Sequence, residues 1–135
     1  MALITWSPKY SVGVRNMDSQ HTVLIDILNE LHAAMVKGQA QTVGDKLLRK
    51  LTDYTLRHFS AEEAVMSSAK FPGLAAHRVK HQNLIQQVGD YARRLKSGDQ
   101  AMYNQLLMFV RDWLTSHILK EDKEYGIWMN EHGIQ

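Results

Sequence analysis

Residues 58–81 read HFSAEEAVMSSAKFPGLAAHRVKH, and the rest of the chain is organised around them. The stretch holds two pairs of metal-type side chains, His58 with Glu62 and His77 with His81. Four residues of α-helix turn about 400°, so the members of a pair sit about 40° apart on one face. Phe71-Pro72-Gly73 lies between the pairs and breaks a helix there, because proline lacks an N–H and clashes with the turn before it. The simplest arrangement is two antiparallel helices that turn their pairs toward one interior point.

The flanking sequence supplies two more helices. Asp18 reads as the N-cap of a first helix over 18–37, closed by Gly38. Its apolar face carries His21, Leu24, Ile25, Leu28, Leu31, His32 and Met35 at a period of about 3.6. A second helix spans 42–68, with Leu47, Leu51, Tyr54, His58, Glu62 and Val65 on one side. Gly73 opens a third, which carries Leu74, His77, His81, Leu84 and Val88 before Gly98 ends it. Asp99 caps a fourth, whose stripe is Leu106, Val110, Trp113, Leu114 and His117. The links at 38–41, 70–73 and 97–99 are a few residues each, which forces neighbouring helices to run antiparallel. The pattern predicts an all-α fold, an antiparallel up-down-up-down four-helix bundle over about 18–122. Pro8, Gly13, Val12 and Val14 make residues 1–16 a non-helical arm that Trp6 and Tyr10 pack on the core. A short tail follows Asp122. Residues 1–135 read as one domain, long enough to bury a core.

Ionisable residues on apolar stripes need a reason, because burying them unpaired is costly. In an antiparallel bundle the start of one helix and the end of the next share a level. His21 is early in the first helix, His58 and Glu62 late in the second, His77 and His81 early in the third, His117 late in the fourth. All six therefore converge at one end of the interior, and so many imidazoles cannot satisfy one another without a cation. His32 is a control. It faces as His21 does but lies about 16 Å deeper at the helical rise, so it is expected to be a core or half-exposed histidine, as is His132.

Composition narrows the chemistry. With 16 Lys+Arg against 14 Asp+Glu, the net charge of +2 is no nucleic-acid footprint. The absence of cysteine excludes disulfides, thiolate chemistry and sulfur-ligated zinc or iron–sulfur sites. Neither a leader pattern nor an apolar run able to span a bilayer is evident, so a cytoplasmic protein without a membrane partner is expected. The residue after His77 is Arg78, which rules out the H-E-x-x-H of a zincin. There is no E-x-x-H, the signature of ferritin-like di-iron oxidases.

The fourth helix offers two carboxylates, Glu121 and Asp122. Five residues of α-helix turn about 500°, which points Asp122 about 140° away from His117, so plain geometry favours Glu121. Ligation by both His117 and Asp122 requires the helix to end or to take a wide, π-like turn. The segments WSPKYSVGVRNMDSQH, HFSAEEAVM, HRVKH and HILKEDKEY together resemble the hemerythrins, in particular their single-domain bacterial form. The family pattern is a first-helix histidine, then H-x-x-x-E, H-x-x-x-H and H-x-x-x-x-D. His21, His58, Glu62, His77, His81, His117 and Asp122 match it at every ligand position. The resemblance therefore implies Asp122 rather than Glu121.

Five imidazoles and two carboxylates are too many ligands for one ion and suit two, and only the carboxylates bridge a pair while neutral imidazoles end it. Mixed nitrogen and oxygen donors fit iron, manganese or zinc. The resemblance implies two iron ions per chain, one held by His77, His81 and His117, the other by His21 and His58. It implies further that Glu62, Asp122 and a solvent-derived oxo or hydroxo group bridge them. The second iron then keeps an open position, where the family binds O2. Leu24, Phe59, Trp113 and Leu114 lie near the ligand level and are expected to wall the O2 pocket, and Tyr125 matches a tyrosine of the family near the site. The function implied is reversible O2 binding for storage, delivery or scavenging, without catalysis beyond weak oxidase or peroxidase side activity. A monomer is expected, with a reductase or an O2-consuming enzyme as partner. The alternative is a di-iron sensor or an enzyme handling O2, peroxide, nitric oxide or iron. A sensor is expected to carry a signalling domain, and thirteen residues follow Asp122.

Overall fold

The computed structural model describes residues 2–95 and 100–135. The arm carries one 3₁₀ turn, Pro8–Tyr10, and the helices are α1 (Arg15–Val36), α2 (Ala40–Ser68), α3 (Leu74–Arg94), α4 (Gln100–His117) and α5 (Lys123–Glu131). A π turn, Ile118–Asp122, joins α4 to α5 without a break. α1 packs on α2 and α4, and α3 packs on the same two. That is the up-down-up-down four-helix bundle, with α5 extending its fourth member. Among the described residues no helix is long and apolar enough to cross a membrane.

Helix ends follow from backbone hydrogen bonding. After α1, Gln39 N–H bonds Ala34 O and Gly38 N–H bonds Met35 O, with Gly38 at φ +71. This pairing satisfies carbonyls the helix leaves bare and needs a left-handed residue, which glycine supplies. α2 ends the same way, through Phe71 N–H to Met66 O and Lys70 N–H to Ser67 O, but with Lys70 at φ +60. Gly73 stands at the start of α3, as expected. Gly98 and Asp99, expected to end one helix and cap the next, lie outside the described residues.

Two boundaries differ from expectation. α1 begins at Arg15, so Asp18 is in its first turn and not its N-cap. The carboxylate works from there: Oδ1 accepts the Val12 N–H at 2.8 Å and Oδ2 the Ser11 hydroxyl at 2.6 Å, pinning the arm to the helix. Residues after Asp122 are helical, because α5 has a face to bury in Tyr125, Gly126 and Met129. A Cβ on Gly126 would stand 1.9 Å from Val12 O, so only glycine lets the arm cross there. Asn29 holds the arm's start, accepting from Leu3 and Ile4 N–H and donating to Ile4 O.

The end of the bundle away from the arm's crossing is apolar. Leu28, Leu31, Leu106 and Leu107 are fully buried, each worth about 2–3 kcal/mol of transfer free energy. The apolar stripes of all four helices then run into a polar end.

Candidate metal centre

At that end seven ionisable side chains, His21, His58, Glu62, His77, His81, His117 and Asp122, are at most 5% exposed. They form two groups, each able to hold a metal ion. One comprises Glu62, His77, His81, His117 and Asp122, the other His21, His58, Glu62 and Asp122. The two carboxylates belong to both.

The atoms divide cleanly. Glu62 Oε1 lies 2.7 Å from His77 Nε2 and 3.1 Å from His81 Nε2. Asp122 Oδ1 lies 3.0 Å from His77 Nε2 and 3.1 Å from His117 Nε2. His117 Nε2 is 3.2 Å from both His81 Nε2 and His77 Nε2. The remaining oxygens face the other group, with Asp122 Oδ2 3.1 Å from His21 Nε2 and Glu62 Oε2 3.4 Å from His58 Nε2. Each carboxylate thus offers one oxygen to each group.

The π turn makes this possible. With i→i+5 bonding, residues five apart stack as residues four apart do in an α-helix, so His117 and Asp122 face the same interior. Glu121, which plain helical spacing favours, is turned outward behind His117, its Oε2 4.0 Å from Nδ1 and its Oε1 3.0 Å from Lys80 Nζ.

The donor set fits metal ions on two counts. Both ring nitrogens of His21 and both oxygens of Asp122 are buried without an aligned hydrogen bond, which is costly unless a cation is shared. An octahedron with bonds of about 2.1 Å has edges of about 3.0 Å. The spacings of 2.7–3.2 Å in the three-histidine group match such edges. His81 Nδ1 faces the Glu63 carboxylate at 2.8 Å, which turns Nε2 of the same ring inward, 3.1 Å from Glu62 Oε1.

Without a metal, the groups balance charge among themselves. Burial disfavours protonated His21 and His77, but the carboxylates of Asp122 and Glu62 outweigh it and raise both pKa values to about 9. Burial likewise opposes ionised Glu62 and Asp122, and the surrounding histidines overcome it, holding both below the usual carboxylate range. Tyr125 is fully buried and its hydroxyl donates to Glu62 Oε2 at 3.3 Å. Burial and the two carboxylate charges push that phenol far above its ordinary pKa, so it stays a donor.

Phe59 stacks on the His81 ring at 3.7 Å between centroids, and Trp113 stacks on His117 at 4.3 Å, so both cover the three-histidine group. Leu24 and Leu114 are buried core residues one helical turn from His21 and His117. His32 is half-buried and outside both groups, and His132 is exposed and bonds Trp128 O. Sequence reasoning missed the outer partners, Gln20 at His58 Nδ1 (2.6 Å) and Glu63 at His81. Glu63 lies next to Glu62 in the chain, but its pairing depends on how α2 and α3 face each other, which spacing within one helix does not encode.

A four-helix bundle that directs five imidazoles and two shared carboxylates inward at one end defines a histidine–carboxylate metal-binding bundle. The family model of the hemerythrin HHE cation binding domain matches residues 12–127, and the chain belongs to that family. It is 35% identical over 127 residues to a bacteriohemerythrin of Methylococcus capsulatus (strain ATCC 33009 / NCIMB 11132 / Bath), covering 93% of this chain and 96% of that one. A bacteriohemerythrin of Stenotrophomonas maltophilia (strain R551-3) is 33% identical over 132 residues, covering 98% and 85%. A solved wild-type hemerythrin structure superposes with a TM-score of 0.82 at 35% identity, covering 93% of this chain and 96% of that one.

Proposed function

We propose that the chain holds two iron ions at this centre and binds O2 reversibly, as a carrier or store and not as an enzyme. The observation that carries the reading is the division of the carboxylate oxygens, Oε1 and Oδ1 toward three histidines, Oε2 and Oδ2 toward two. Such a pattern suits Glu62 and Asp122 as bridges, with His77, His81 and His117 ending one side and His21 and His58 the other. Iron, among the metals that nitrogen–oxygen donor sets hold, is the one the family resemblance implies. Iron held by these residues would supply the electrons for taking up O2 and releasing it. The relatives' name, bacteriohemerythrin, agrees with binding over catalysis.

The protein's part is to hold protons in place and keep water out. His58 and His81 keep their Nδ1 protons pointed outward, on Gln20 and Glu63, which leaves Nε2 lone pairs inward. Tyr125 keeps its proton and steadies Glu62 Oε2. Phe59 and Trp113 shield the three-histidine side, and we assign Leu24 and Leu114 to the apolar wall of the O2 pocket. A dry wall favours release of O2 unchanged.

Metal analysis joined to one optical experiment tests this. The protein is reduced anaerobically, exposed once to air, then flushed with argon while its spectrum is recorded. Two irons per chain and a band that appears in air and bleaches under argon are expected. Irreversible oxidation in one exposure, with continuous O2 consumption when a reductant is supplied, would establish the enzyme instead.

A further inference from the structure

The two halves of the centre differ in what stands behind their ligands. In the three-histidine half, Glu63 Oε2 accepts the His81 Nδ1 proton at 2.8 Å, and Arg78 Nε holds Glu63 Oε1 at 2.9 Å. Glu121 stands behind His117 at 4.0 Å, itself held by Lys80 at 3.0 Å. In the two-histidine half, the partner of His58 Nδ1 is the neutral amide oxygen of Gln20, and His21 Nδ1 has no hydrogen bond among the described residues. One helical turn of α3, His77 to His81, therefore supplies two inward ligands and, from Arg78 and Lys80, the cations that fix both outer carboxylates.

A carboxylate that accepts a ligating imidazole's outer N–H fixes the ring and its tautomer and makes the inner nitrogen more basic. An amide oxygen fixes the ring but adds no charge. Outer partners of this kind are worth about 10–100-fold in metal affinity. His81 is 1% exposed, and the Glu63 side chain behind it is 21% exposed and paired with Arg78, so its charge reaches the ring partly screened. We propose that Glu63, clamped by Arg78, is a positioning residue that makes the three-histidine half the tighter metal site. That half fills first, and the two-histidine half holds the exchangeable ion. The inference rests on the two-ion reading above.

Cobalt(II) is the probe, added to the metal-free chain in competition with a chelator and followed by visible absorption and by the shifted imidazole N–H proton signals. Binding is expected in two phases, with signals from His77, His81 and His117 in the first and from His21 and His58 in the second. Glu63→Gln, nearly isosteric and on a partly exposed side chain, is expected to weaken the first phase about 10–100-fold, move the His81 signal and leave the second phase. Gln20→Glu is expected to tighten the second phase and leave the first. Arg78→Gln is expected to weaken the first phase by less than Glu63→Gln does, and far-ultraviolet circular dichroism confirms folding of each variant. Two phases of equal affinity in the wild type, or a Glu63→Gln effect that is absent or shared equally by both phases, would overturn the proposal while leaving a two-ion centre. Uptake of fewer than two ions would overturn both.

Discussion

Asp122 and Glu62 favour the protonated forms of His21 and His77, rings whose nitrogens a metal ion needs. Their pKa values of about 9 in the folded chain lie above about 6.5 in an unfolded one, because Asp122 and Glu62 outweigh the cost of burial. Their contribution to metal-free stability is therefore complete below about pH 6.5 and lost as pH rises through 9. Glu62 and Asp122 are shifted down, so their contribution is complete above about pH 4.5 and lost on acidification. The metal-free chain is thus expected to be most stable between about pH 4.5 and 6.5. A cation competes with the same protons, so metal binding strengthens where the metal-free chain weakens. Melting both forms at about pH 6 and about pH 9 is the check. The gain in Tm from metal is expected to be larger at the higher pH, and a gain that shrinks contradicts the charge balance described.

Within single elements, the ends and interruptions of helices decide where side chains point. The π turn re-aims Asp122 into the interior and leaves Glu121 outside, a result that regular spacing from His117 reverses. Nothing in ILKED marks a π turn, so the residues alone favour Glu121, and only the family resemblance points to Asp122 and the wide turn that its ligation requires. Likewise, Asp18 has the chemistry of an N-cap, but Val12 and Ser11 approach from the arm and use its oxygens three residues inside α1. The end of α2 carries a testable strain. Lys70 sits at φ +60, where a Cβ costs about 1 kcal/mol, in the position that Gly38 fills after α1. Lys70→Gly is expected to stabilise the protein by about 0.5–1 kcal/mol in urea unfolding, with metal content unchanged. A loss of stability would show that the lysine side chain contributes more than its backbone costs.

Across the whole molecule, topology brings the centre together. Short links make neighbours antiparallel, so early residues of α1 and α3 meet late residues of α2 and α4, and the convergence of His21, His58, Glu62, His77, His81 and His117 is legible from order alone. What order does not encode is contact between faces, and the outer partners Gln20 and Glu63 and the stacking of Phe59 and Trp113 come from there. The same polarity makes stability uneven. Leu31, Leu106 and Leu107 at the apolar end need no metal, whereas the other end buries seven ionisable groups. Chelation is expected to lower Tm and to speed amide hydrogen exchange first in the early turns of α1 and α3 and the late turns of α2 and α4. Equal loss of protection at both ends contradicts this. The most direct measurement is diffraction from crystals of the loaded protein at the iron absorption edge, which locates each ion by its anomalous signal. Two peaks are expected, one bonded to His77, His81 and His117 and one to His21 and His58, with an oxygen of Glu62 and of Asp122 on each. A single peak, or Glu121 bonded in place of Asp122, would contradict the two-ion centre.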